Sequence, residues 1–272
     1  MKSIQPPPGA PHLCYCHSPA RYLWEQTDDY AIGAGASLRA IGLAAAGRPL
    51  RRWDRRTADR VTKFLANSRH TAERIRRCYG RESTVVYPPV RTDFFTFDPA
   101  ASRGDWLLVV AALEPYKRTD IVIEAANRAG FALKVVGGGS QEHALRAIAG
   151  PSVEMLGRVD DAELRDLYRR AKALVFPQIE DFGIIPVEAQ ACGCPVIAFG
   201  RGGALETITD STGMLFDEQS ADAVIDAVER FDGSSFDAGA CRAQAGRFSG
   251  DVFDRAILAE VRALLAPTPD RS

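Results

Sequence analysis

From residue 106 onward, short apolar runs rich in Val and Leu alternate with segments whose apolar positions recur every three to four residues, with glycines between them. Buried parallel strands and the helices that cover them produce that alternation. The pattern predicts strands at 107–113, 132–136, 153–156, 173–177, 195–199 and 213–216, and helices at 119–129, 141–149, 162–171, 184–192, 204–208 and 221–231. Each strand-helix unit of about 25 residues is long enough for a right-handed crossover. The expectation for 104–250 is a complete α/β, doubly wound, Rossmann-like domain.

Before residue 106 the signal is thinner. Strands are expected at 13–17, 64–67 and 84–87, and helices at 36–46, 49–63 and 70–79, the last with Ser68 as its N-cap. That makes a partial Rossmann-like domain over 1–88. Pro88 and Pro89 end the third strand, so 89–103 reads as a linker. A helix at 252–265, stopped by Pro267 and Pro269, is expected to follow the second domain within a separate tail, 251–272.

Composition narrows the chemistry. The 272 residues carry 34 Lys and Arg against 35 Asp and Glu, a balance that argues against nucleic acid as a partner and for a small or neutral ligand. Cys14, Cys16, Cys78, Cys192, Cys194 and Cys241 show no C-x-x-C spacing and read as reduced thiols. No apolar run is long enough to span a bilayer, and the start of the chain lacks the apolar core of a signal peptide, so a cytoplasmic protein is expected. One basic stretch, Arg48, Arg51, Arg52, Arg55, Arg56, Arg60 and Lys63 around Trp53, is either a solvated helix or a peripheral contact with the inner face of the membrane.

The stretch 176–193 carries the most chemistry. It reads as a strand, a loop holding Glu180 and Gly183, and a helix start at Ile184 with Glu188 one turn in. Backbone amides at such a helix start favour an anion such as a diphosphate. Carboxylates repel phosphate but accept hydrogen bonds from sugar hydroxyls, so Glu180 and Glu188 suit the two sugars that flank a diphosphate.

Glu180 and Glu188 eight residues apart, Phe182-Gly183 between them and the Ala-x-Ala-x-Gly-x-Pro-Val run that follows resemble the family 4 retaining glycosyltransferases of GT-B fold. Other segments agree in order. They are Lys117-Arg118 after the first strand of the second domain, Gly137-Gly138-Gly139 after the next, Gly157-Arg158-Val159 after the third, and the stretch from Gly200 to Thr207. The segment from Cys14 to Trp24 is similar to the acceptor domain of bacterial polysaccharide mannosyltransferases in that family. The resemblance implies that Glu180 contacts the transferred sugar, Glu188 the ribose, and the Phe182-Gly183-Ile184 backbone sugar and phosphate. It places Gly137, Gly157, Arg158 and Val159 around the nucleotide and His17 opposite the donor sugar. Lys117 would meet the diphosphate; the family's neighbouring Arg is here Ala112, for which Arg118 would have to compensate.

The same resemblance implies a hexosyltransferase using GDP-mannose or another nucleotide sugar, with a glycan or lipid-linked glycan as acceptor and a retaining course. The competing expectation is a non-catalytic or partner-dependent nucleotide-sugar-binding module. No D-x-D triplet and no ligand spacing call for a metal, no further cofactor is expected, and no G-x-G-x-x-G supports a dehydrogenase. Compared with the family, roughly the first hundred residues are expected to be missing, which would expose the edge of strand 13–17 and favour a second copy or a separate N-terminal subunit as partner.

Overall fold

The computed structural model describes residues 2–24, 36–231 and 233–266, without the side chains of 22, 36–46 and 234. Two compact units emerge, Met1–Tyr87 with Phe253–Ser272, and Pro88–Val252.

In the first unit, β1 (Leu13–Cys16), α1 (Arg21–Trp24), α2 (Ala36–Ala58), β2 (Lys63–Ala66), α3 (Arg69–Tyr79) and β3 (Ser83–Val85) follow in order. The strands form a parallel sheet in the order β1-β2-β3, with Leu13 opposite Lys63 and Phe64 opposite Ser83. Cys14, Cys16, Phe64, Ile75 and Tyr79 meet in its core. Ser68 caps α3 as expected: its hydroxyl accepts from the Thr71 amide at 2.9 Å, and the residue is fully buried. Ser68→Ala should cost about 1 kcal/mol, read as a lower denaturant midpoint at unchanged slope.

Two expectations for this unit need correction. Helices foreseen at 36–46 and 49–63 are one helix, α2, which runs through Pro49 and ends at Ala58. Proline there removes one intrahelical hydrogen bond without stopping the helix. The C-terminal segment 251–272 is not a separate tail, since from Phe253 it belongs to the first unit. The Phe253 ring packs on Tyr15 with centroids 5.7 Å apart, and Glu260 pairs with Lys63. Pro267 and Pro269, expected to stop this helix, lie outside the described residues.

The second unit contains β4 (Leu107–Val110), α4 (Thr119–Ala129), β5 (Leu133–Val136), α5 (Glu142–Ile148), β6 (Val153–Gly157), α6 (Asp161–Arg170), β7 (Ala173–Phe176), α7 (Ile184–Ala191), β8 (Val196–Phe199), α8 (Ala204–Thr207), β9 (Gly213–Phe216), α9 (Ala221–Arg230) and α10 (Ala238–Gly246). The chain then enters α11 (Gly250–Leu265). All six strands are parallel, in the order β6-β5-β4-β7-β8-β9. Every residue of β7 and β8 is buried, because helices cover both faces; hence their unbroken apolar sequences. The expected doubly wound topology is present, and its winding reverses between β4 and β7.

Residues 89–103, expected as a linker, are part of this unit. Phe95 is buried against Tyr168 with ring centroids 5.7 Å apart, and Arg169 donates to the Thr96 carbonyl at 2.7 Å. An apolar anchor and a half-buried hydrogen bond to the backbone hold this stretch against the fold, which its prolines do not reveal. Helix α10 had no sequence expectation. Its Ala-Gly-rich sequence has little apolar periodicity, yet it packs against α7 and buries Cys241, Gln244 and Ala245.

Candidate functional site

In an open parallel sheet the crevice lies outside the carboxyl ends of the strands, at the point where the winding reverses. The loops after β4 and β7 flank that point, and they carry Lys117 and Glu180. A turn of 3-10 helix, Pro115–Lys117, follows β4 and directs Lys117 toward the β7 loop. Its ammonium pairs with Glu180 Oε1, joining side chains only 11% and 20% exposed. The cation expected for a diphosphate and the carboxylate expected for a sugar thus neutralise one another in the ligand-free chain.

Gly183 precedes α7, whose first turn has no side-chain cap, and Ile184 at its start is exposed. Uncapped amides at the positive end of a helix suit an anion. Phe182, by contrast, is turned into the core, 2% exposed and 5.3 Å ring to ring from Phe248. Only its backbone is left to face a ligand.

Glu188 lies one turn into α7. Burial pushes its carboxyl above the usual carboxylate range, while the Tyr168 hydroxyl and the Arg91 charge pull it back. The Tyr168 hydroxyl donates to Glu188 Oε2 at 3.3 Å from a fully buried ring. Sequence reasoning missed Tyr168 and Arg91. The only trace of Tyr168 was a tyrosine among the apolar positions of α6, and Arg91 sat in the supposed linker.

The glycine-rich loops fit against each other. A Cβ on Gly203 would stand 2.1 Å from the Phe182 carbonyl oxygen, and the Gly203 amide donates to the Glu180 carbonyl at 2.8 Å. The loop after β8 is thereby fastened to the loop that carries Glu180. Gly137 and Gly139 likewise approach Ala111 and Leu113, while the Gly137 amide donates to the Gly157 carbonyl at 2.7 Å. Much of the close approach foreseen for these glycines is therefore approach to neighbouring loops.

Arg158 is exposed and Val159 half-buried beyond β6. Arg118 adopts φ 52°, the one non-glycine residue in the left-handed region among the described residues, and its side chain turns to Asp120 at 3.3 Å. The structure thus joins Lys117 to Glu180 in the loop that leads into α7, the helix that carries Glu188. His17 belongs to the first unit, exposed just past β1, its ring 5.0 Å from that of Tyr15.

None of the six cysteines is in a disulfide and all are buried, and burial pushes the thiols of Cys192 and Cys194 up to about 12. Buried thiols raised in this way make poor nucleophiles. Among the described residues no cluster of His, Cys, Asp and Glu could hold a metal, and no helix is long and apolar enough to cross a membrane.

Comparison with known proteins matches residues 92–233 to the family model described as glycosyl transferases group 1, and residues 3–94 to glycosyltransferase family 4. A GDP-mannose-dependent monoacylated alpha-(1-6)-phosphatidylinositol monomannoside mannosyltransferase of Corynebacterium glutamicum is 31% identical over 57% of this chain and 49% of its own. A D-inositol 3-phosphate glycosyltransferase of Frankia alni is 33% identical over 67% of this chain and 53% of its own. The chain spans about half the length of the curated relatives it matches. Among solved structures, a sucrose-phosphate synthase of Thermosynechococcus elongatus superposes with a TM-score of 0.75 at 20% identity, over 94% of this chain and 68% of that one. Anabaena HepE in complex with UDP-glucose gives 0.72 at 20% identity, over 93% and 72%. The expected fold, two parallel α/β units of GT-B type, is the fold these neighbours share.

Proposed function

The chain belongs to the group 1 glycosyltransferases, and from that premise we propose that it transfers a hexose, mannose first among the candidates, from a nucleotide diphosphate sugar to a glycan or glycolipid with retention of anomeric configuration. The observation that carries the reading is the convergence of Lys117, Glu180 and the uncapped start of α7 where the winding of the sheet reverses. On binding, the diphosphate takes Lys117 away from Glu180 and lies against the α7 amides. The freed Glu180 then accepts from hydroxyls of the sugar, and Glu188 from the ribose. Negative charge developing on the departing diphosphate is met by Lys117 and the helix start, which are in place before the reaction begins. Gly137, Gly157, Arg158 and Val159 border the nucleotide in this reading. The GDP-mannose dependence of the Corynebacterium relative favours GDP-mannose, and UDP-glucose in the HepE complex makes it the donor to compare.

A thermal-shift series with GDP, UDP, ADP and their sugars tests the donor, since a ligand specific to the folded state raises Tm by mass action. One nucleotide sugar should stand out. No response to any of them would sink the proposal. A donor-dependent shift without transfer to any glycan or glycolipid would favour the binding-module reading, to which Ala112 in place of the family's arginine already inclines.

Lys117→Ala should weaken binding of the nucleoside diphosphate about tenfold or more while leaving the nucleoside nearly unaffected. Ala112 is exposed, so Ala112→Arg adds a cation without disturbing the core, and it should tighten diphosphate binding. Calorimetry with nucleoside and nucleoside diphosphate separates the two effects. An equal loss for both ligands in Lys117→Ala would remove the phosphate role from Lys117.

A further inference from the structure

Charge is divided unevenly between the two units. The residues of the first carry 18 Lys and Arg against 10 Asp and Glu, and those of the second 16 against 25. The positive excess gathers on the C-terminal half of α2. There Arg48, Arg51, Arg52 and Arg55 recur at the i, i+3, i+4, i+7 spacing that places side chains on one helix face. Like charges at that spacing destabilise a helix, so the sequence maintains this row against a local cost.

With Trp24 of α1, these four arginines line a pocket of about 250 Å³. Its floor is held in place. The Trp24 indole donates to Asp54 at 2.9 Å, and the Arg55 guanidinium stands 5.5 Å from the Trp24 ring centroid. Asp54, the one carboxylate between residues 48 and 58, is 4% exposed and already engaged by Lys2 and Trp24. Among the described residues no ion pair joins Arg48, Arg51 or Arg52 to a carboxylate, and Arg51 Nε is shielded from solvent without a hydrogen-bond partner. A shielded donor without an acceptor is costly, and an acceptor supplied by a ligand would remove the cost.

We infer that this pocket binds a phosphate ester group. Guanidinium forks match a phosphoryl oxyanion two bonds at a time, and four on one face with their nearest carboxylate neutralised make a field that selects an anion. The volume is below that usual for drug-sized ligands, which fits a single phosphorylated headgroup. The phosphate can belong to a soluble sugar or polyol phosphate, or to an anionic lipid. Trp53 and Leu50, exposed on the same helix, would lie in the interface in the second case. The inference is independent of the proposed glycosyl transfer.

The test uses the full chain in a Lys117→Ala background, which removes the candidate phosphate cation of the second unit. The probes are inorganic phosphate, followed by calorimetry, and phosphatidylcholine vesicles with and without phosphatidic acid, followed by sedimentation. Arg48→Ala with Arg52→Ala should weaken binding about tenfold or more, whereas Arg56→Ala with Arg60→Ala, an equal loss of charge outside the pocket, should change it about twofold at most. All four side chains are exposed, and thermal denaturation verifies that both double variants fold. Phosphate binding without vesicle binding assigns a soluble ester, and vesicle binding that needs phosphatidic acid assigns a lipid. Binding of neither probe, or equal loss in the two double variants, overturns the inference.

Discussion

Gly137→Ala should cost the second unit roughly 3 kcal/mol or more. Its φ is 135°, a conformation that L side chains rarely adopt, and an added Cβ would sit 1.8 Å from the Ala111 carbonyl oxygen. The obstacle is backbone, so no rotamer change relieves it. Relief would require the loop after β4 to withdraw, taking Lys117 with it. Urea unfolding followed by circular dichroism reads the loss, with Gly246→Ala as control. Gly246 ends α10 in open space at an ordinary φ, where alanine should be neutral or slightly stabilising. A Gly137→Ala protein within about 1 kcal/mol of the original would show that the two loops yield, and their packing would no longer account for this glycine.

The same position marks how far the sequence could be read. The expected strands 173–177 and 195–199 agree with β7 and β8 to within a residue at each end, because strands buried on both faces have no polar positions to blur them. A glycine run after β5 was equally visible. Its cause was not, since nothing local says whether a glycine yields space to a ligand or to Ala111, 26 residues earlier. Lys117 and Glu180 were each singled out, but their pairing spans 63 residues of sequence and depends on β4 and β7 being neighbours in the sheet. Pro49 was read as a boundary because local propensity opposes it, and the helix continues regardless. Residues 89–103 carried turn signals, while their hold on the fold comes from Phe95 and from partners more than 70 residues away.

Glu188→Gln should have opposite effects on binding and on stability. As the proposed acceptor for ribose hydroxyls, the carboxylate is worth on the order of 2 kcal/mol, so affinity for a nucleoside should fall roughly thirtyfold. The ligand-free protein should instead gain stability. Burial raises the Glu188 carboxyl, so the native state holds its proton more tightly than the unfolded chain does. Stability from this group is then fully present below the unfolded value and is lost as pH rises through the raised native one. The glutamine variant, which carries no charge at any pH, escapes that loss. It should exceed the original in Tm by a few degrees at neutral and alkaline pH, and the difference should vanish below roughly pH 4. Calorimetric titration and melting curves across pH test both halves. Unchanged nucleoside affinity would remove Glu188 from the ribose site, and a Tm difference that grows toward acid would reverse the assigned electrostatics.

The return of α11 to the first unit bears on how the protein is made. The second unit is a single stretch, Pro88–Val252, whereas the first is assembled from segments on either side of it. During synthesis at about 5–20 residues per second, β1 to β3 are translated before the whole of the second unit, and the helix that brings Phe253 to Tyr15 and Glu260 to Lys63 is translated after it. The second unit can close as soon as its last strands and helices leave the ribosome. The first must wait for α11, so until then its core lacks the contacts that Phe253 and Glu260 supply.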